Sequence, residues 1–388
     1  MRLFRVAVLA SAILLPLGAA GCTKVDPAAD TSPVVIGVDL EQSGANAAVG
    51  ETYERALRLK ADQINAQGGI NGRPISLVVK NNRSDPTVAV SDINAFANDP
   101  TIAGVIVGAC SECANDIAKT VEDKQLPTIS LAPASGVVRP TADRRYVFKL
   151  GPNAEDSARV LTGMLREESI KSVALLGTDD INGTDSLGAI GQQLLRNNVA
   201  MVSKQIFKAT DTDLDQQVRN AVGRNPAALI VSAFPDQALL VAKTARQTGY
   251  AGRFFFDATA AGDLFLDGPS AIATENSVMV APQTLVIDDV VATTPAKTAR
   301  KRWFDDYTSK FGGFSGYSTY AADAIQLLVD AISTAGSPIH GKMRDIMEDT
   351  AFDGLSGQVR FTPDNHSGMV AQGLTTVVAR SGRWRLLG

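Results

Sequence analysis

Val34-Val35-Ile36-Gly37-Val38 is an apolar run of strand length. It is followed by Tyr53 to Gln67, with apolar residues at Ala56, Leu57, Leu59, Ala61 and Ile64. A short run apolar on both faces reads as a strand buried in a parallel sheet. The second segment has helical spacing and stops at Gly68-Gly69. The alternation continues with a strand at Ile75 to Val79. Asp85-Pro86 then pairs an N-cap with proline at the first helical position, opening a helix to about Asn98. A strand at Ile102 to Val107, a helix at Ser111 to Lys124 and a strand at Thr128 to Ser130 complete the series. A βαβα series of this kind implies a parallel sheet with helices on both faces.

The series then restarts. Helices are expected at 154–168, 187–197, 213–223 and 237–248. Strands are expected at 172–176, 199–207, 227–231 and 253–256. Two successive open sheets predict two lobes. Amphipathic helices follow at 296–311 and 317–335. The tail reads as strands, with Gln358 to Phe361 alternating and Leu374 to Val378 rich in β-branched residues. The chain shows no repeat at solenoid periods.

At the N-terminus, Arg2 and Arg5 precede an apolar stretch from Val6 to Leu17 and the run Leu17-Gly18-Ala19-Ala20-Gly21-Cys22. A basic segment, a short apolar core and small residues make a secretory signal over residues 1–21. The Cys resembles the lipobox cysteine of bacterial lipoproteins. That resemblance implies acylation of Cys22 and a protein anchored by lipid on the extracytoplasmic face. Residues 22–32 are small and polar, with Pro27, and read as a tether. The apolar stretch is too short for a stable span.

The chain carries 37 basic and 41 acidic residues, and this balance argues against nucleic acid as a partner. Its three cysteines form no disulfide scaffold, and its two histidines make a histidine-built metal site unexpected. The chain has no phosphate-cradling G-x-x-x-x-G-K-[ST], no G-x-G-x-x-G after a strand, no G-x-S-x-G and no H-E-x-x-H. These absences favour binding over catalysis, with no cofactor and no metal.

Ligands of open α/β sheets sit beyond the carboxyl ends of the strands, where helix N-termini present backbone N–H groups. Three such ends here carry small hydroxyl or Gly residues: Gln42-Ser43-Gly44, Cys110-Ser111-Glu112 and Ala132-Pro133-Ala134-Ser135. Together they read as a cradle for a carboxylate. The alternative is that Ser43 and Ser111 only cap helices.

Asp39-Leu40-Glu41-Gln42-Ser43-Gly44 is followed by Ile64-Asn65-Ala66-Gln67-Gly68-Gly69-Ile70-Asn71-Gly72-Arg73-Pro74 and Ser84-Asp85-Pro86. In this order the segments resemble the leucine/isoleucine/valine-binding protein family, the type I periplasmic binding proteins of ABC importers. Pro127 to Ser130 and Tyr320 to Ala324 match later family segments more loosely. The resemblance implies two doubly wound lobes joined by a three-strand hinge, closing on an amino acid or related small carboxylate. Lobe 1 would take residues 33–149 and 284–352, and lobe 2 residues 150–283 and 353–388. The family pattern carries the carboxylate contacts onto Ser111, Ala134 and Ser135; Ser43 joins them only through the strand-end reading. It carries the ammonium partner onto Asp257, which could instead be a helix N-cap. Asn182 at a second-lobe strand end would face the cleft. Phe234 and Tyr317 would wall it or simply pack in the core. The chain departs from the family in two places. Ala48-Val49-Gly50 lacks an aromatic, and Ser84 stands where a family cysteine pairs with the one before the binding serine.

Cys110 and Cys113 are spaced C-x-x-C at a helix start. In an exported protein they read as a structural disulfide; free thiols and a thiol–disulfide oxidoreductase are the alternatives. The expected whole is a monomeric substrate-binding lipoprotein that delivers its ligand to an ABC permease. The other reading of the same fold is a sensor reporting to a membrane receptor.

Overall fold

The computed structural model describes residues 30–262 and 268–387. Cys22, the signal segment and most of the tether lie outside these residues. The first half builds one sheet from β1 (Val34–Leu40), β2 (Ile75–Asn81), β3 (Ile102–Val107), β4 (Thr128–Ser130) and β5 (Val147–Lys149). The helices between them are α1 (Ala47–Ala66), α2 (Pro86–Ala97), α3 (Ser111–Asp116) and α4 (Ala118–Lys124). All strands are parallel, in the order β2-β1-β3-β4-β5. The order reverses between β1 and β3, which is where such sheets open a binding crevice.

Alternation within β1 sends Ile36, Val38 and Leu40 to the α1 side. The other face meets α2, where the Phe96 ring lies 3.0 Å from the point at which a Cβ on Gly37 would stand. Asp85 caps α2 by accepting from the Thr87 and Val88 amides, with Pro86 at the first helical position. Gly68 and Gly69 end α1 at φ of 102° and 70°.

The second half repeats the arrangement. It contains α5 (Ala154–Glu167), β6 (Ser172–Thr178), α6 (Ile181–Arg196), β7 (Ala200–Phe207) and α7 (Asp215–Val222). It continues with β8 (Ala228–Ser232), α8 (Pro235–Gln247), β9 (Arg253–Phe256), α9 (Pro269–Thr274) and β10 (Val278–Pro282). Its parallel strands run β7-β6-β8-β9-β10, the same winding as the first sheet. The chain then returns through α10 (Pro295–Phe311), α11 (Tyr317–Ala335), α12 (His340–Glu348) and the hairpin β11 (Ala351–Asp353) and β12 (Gln358–Arg360). It finishes with β13 (Leu374–Arg380) and β14 (Arg383–Leu386), both antiparallel, on the β10 edge. α11 is buried along most of its length and packs on α1 and α12.

The chain therefore passes three times between the two lobes, and the crossings are tied together. The Lys149 amide donates to the His366 carbonyl at 2.8 Å, and the Gly368 amide donates back to Lys149 at 2.9 Å. The Thr284 hydroxyl donates to the Leu355 carbonyl at 2.5 Å. The His366 ring stacks on Phe148 at 4.2 Å.

The expected helix over 111–124 is instead two consecutive helices meeting at Ile117. The expected helix over 187–197 begins earlier, at Ile181, because Asp180 caps it through the Gly183 amide at 2.6 Å. β5, β10 and α12 were not anticipated. β5 is only three residues and ends in a lysine, a weak signal for a fully buried strand.

Candidate functional site

The carboxyl ends of β3 and β4 carry Cys110 to Cys113 and Leu131 to Ser135. Ser111 is buried, and its hydroxyl accepts from the Ala134 amide at 3.4 Å. The structure thus brings Ser111, Ala134 and Ser135 together on lobe 1. Ser43 does not join them: it is exposed, and its hydroxyl accepts from Asn81 on the sheet edge at 3.1 Å. It caps no helix, since Asn46 holds the N-cap position of α1. Cys110 and Cys113 form a disulfide, and the Cys110 sulfur also accepts from the Cys113 amide.

Asp257 follows β9 on lobe 2 and is fully buried. It accepts from the Ser232 hydroxyl at 2.6 Å and from the Thr259 amide at 3.1 Å. Burial pushes its carboxyl up to about 6, against the opposing pull of these bonds. Among the described residues it has no ion-pair partner. Its contact with the Thr259 amide is a cap of the short helical turn that follows.

Tyr317, at the start of α11, donates to the Thr259 carbonyl and so bridges to the loop that Asp257 opens. The Tyr317 ring lies 5.8 Å from Tyr53 and 6.2 Å from Phe234. All three rings are buried and belong to an apolar cluster running through both lobes. Asn182 is buried in the first turn of α6, and its amide nitrogen has no hydrogen-bond partner among the described residues.

Several participants were not singled out in the sequence. Glu41 is fully buried beyond β1 and accepts from the Ala109 amide at 2.9 Å, the Cys110 amide at 3.1 Å and Asn82 at 3.2 Å. The chain's own acid therefore fills the N–H groups after β3. Asp39 lies on the same strand face and shares Asn82 with it. Burial pushes Asp39 up to about 8 and raises Glu41 as well. The signal for this pair is two acids at alternate positions, at the end of an apolar strand and just past it.

Lys149 is likewise fully buried and donates to the carbonyls of Pro133, Gly151 and Pro152 at 3.0–3.1 Å, joining the 131–135 loop to the first crossing. Burial lowers its ammonium to about 7. Two further acids cross the cleft. Glu112 accepts from the Ile181 amide at 2.7 Å, and Asp185 accepts from the Ser135 amide and hydroxyl at 2.9 and 2.8 Å. Nothing in the sequence marked Asp185, because its partner lies in another lobe.

Two parallel-sheet lobes joined by three crossings define a hinged two-lobed α/β protein, with these residues at its strand ends. The chain belongs to the periplasmic binding protein family, whose profile matches residues 33–382. It is 26% identical over 345 residues to the amino acid binding protein of Pseudomonas aeruginosa PAO1, covering 87% of this chain and 86% of that one. Its fold is similar to that of an extracellular ligand-binding receptor from Rhodopseudomonas palustris HaA2. That match has a TM-score of 0.84 at 20% identity and covers 92% and 99% of the two chains. A branched-chain amino acid transporter substrate-binding protein, LivJ of Streptococcus pneumoniae, solved in complex with isoleucine, matches with a TM-score of 0.78 at 21% identity, covering 92% and 99%.

Among the described residues no helix is long and apolar enough to cross a membrane.

Proposed function

We propose that this protein binds an amino acid or a related small carboxylate between its lobes and presents it to an ABC permease, held at the membrane by a lipid on Cys22. The observation that carries the ligand class is Asp257. A fully buried carboxylate with no cation beside it among the described residues is costly, and an ammonium brought in by the ligand would supply the missing charge. Ser111, Ala134 and Ser135 would receive the carboxylate. Asn182, whose donor is unpaired among the described residues, would meet a further ligand oxygen. Phe234 and Tyr317 would enclose the apolar part of the ligand. The other two strands of the reading rest on sequence: the Cys22 lipobox, and a family that consists of substrate-binding proteins rather than enzymes. Lobe 1 would comprise 33–149 and 284–352, with the rest of the chain beyond 149 in lobe 2 and the crossings. The protein would work as a monomer.

A thermal-shift screen over amino acids, their amides and their des-amino acids tests the ligand. A ligand at about 100 times its Kd should add about 2.7 kcal/mol of stability. Stabilisation by des-amino acids alone would make the protein a simple carboxylate binder. Metabolic labelling with a radioactive fatty acid tests the anchor: label should be present in the native chain and lost in Cys22→Ala.

A further inference from the structure

The contacts that Glu112 and Asp185 make across the cleft run in opposite senses. Glu112, in the first turn of α3 on lobe 1, accepts from the amide of Ile181, the first residue of α6 on lobe 2. Asp185, one turn further along α6, accepts from both donors of Ser135 on lobe 1. Each lobe thus seats a carboxylate on backbone N–H of the other. Hydrogen bonds to an ionised acceptor are shorter and roughly twice as strong as neutral ones. The N-terminus of a sixteen-residue helix adds a favourable field for Glu112. Ser135 offers one amide and one hydroxyl, the donor pair suited to a carboxylate, and Asp185 uses both.

We propose that Glu112 and Asp185 form a reciprocal latch that holds the two lobes together across the cleft, with Asp185 on the seat at Ser135 that a ligand carboxylate would otherwise take. The latch itself stands on the two contacts; only the seat rests on the reading of Ser135 as a ligand contact. A carboxylate arriving at Ser135 must displace Asp185. Asp185 is therefore a specificity-determining residue that weakens binding of anionic groups at that position, whereas a neutral amide could donate to it.

The test uses the full-length chain, unfolded, dialysed and refolded to strip carried-over ligand. Small-angle scattering is compared for the native protein, Glu112→Ala/Asp185→Ala and the conservative Glu112→Gln/Asp185→Asn. Circular dichroism confirms that each variant is folded. The ligand-free native protein should have the smaller radius of gyration, and both double variants should expand. Equal radii for the native protein and a folded double variant would overturn the latch. Calorimetry with L-leucine as probe tests the seat: Asp185→Ala should bind it several-fold more tightly than the native protein. An unchanged or weaker affinity would overturn Asp185 as a competitor. If neither protein binds L-leucine or any other amino acid, the amino-acid reading fails, and scattering still decides the latch.

Discussion

A Cβ placed on Gly108 would fall inside the carboxylate of Glu41. The glycine leaves room for Glu41 to reach the Ala109 and Cys110 amides, so a buried acid just past β1 holds the loop that leads to Ser111. Gly108→Ala must push the carboxylate off those amides or shift the strand. We expect a loss of about 1–3 kcal/mol, the usual cost of overpacking a core. Combined with Glu41→Ala, it should cost much less than the sum of the two single changes, because the group it collides with is gone. Denaturant unfolding of the four proteins checks this; additive losses would show that the contact is not shared.

Asp39 makes folding stability depend on pH. Its folded value of about 8 lies well above the 3.8 of an ordinary aspartate. Between these limits the native state binds more protons than the unfolded state, so this contribution is full below about 4 and is lost as the pH rises to 8. Asp257 acts with the same sign up to about 6. The buried ammonium of Lys149, lowered to about 7, acts only above that value, where stability rises with pH. Asp39→Asn should therefore flatten the fall in stability between pH 5 and 8. Melting curves across that range check it; parallel profiles for the two proteins would count against an uncharged Asp39.

Asp257→Asn should weaken binding of amino acids far more than binding of the matching des-amino acids, since only the former bring an ammonium. For the native protein, amino-acid affinity should fall as the pH drops below about 6 and the carboxyl takes up a proton. Calorimetry at pH 5 and pH 8 reads both effects. Equal losses for the two ligand classes would remove Asp257 from the role of ammonium partner.

Ser111→Ala should cost roughly 1–3 kcal/mol of ligand affinity if its hydroxyl meets a desolvated carboxylate. The mutation also removes the acceptor for the Ala134 amide, so the melting temperature should drop slightly even without ligand. Unchanged affinity with a lowered melting temperature would confine Ser111 to supporting the loop.

Opening the Cys110–Cys113 bridge by changing both residues to Ser should cost about 2 kcal/mol or less, because the loop it closes is short. Mass spectrometry of the unreduced protein should find no free thiol at either position.

The sequence by itself determined the layered α/β plan. β1 and α1 are written in apolar spacing and a glycine stop, and Asp85-Pro86 marks the start of α2. These are local signals, carried by residues within one or two turns of each other. It also located the strand ends where Ser111, Ala134, Ser135 and Asp257 lie, because sheet winding puts sites there. What it could not decide were relationships between distant segments. Ser43 left the group because its nearest donor is Asn81, on a neighbouring strand. Lys149 became a buried strand residue only because Pro133, Gly151 and Pro152 converge on it. Glu41 found its amides in the loop after β3, and Asp185 found Ser135 across the cleft. A buried charge is tolerated or not according to which donors the tertiary fold brings to it, and sequence spacing carries no record of those distances.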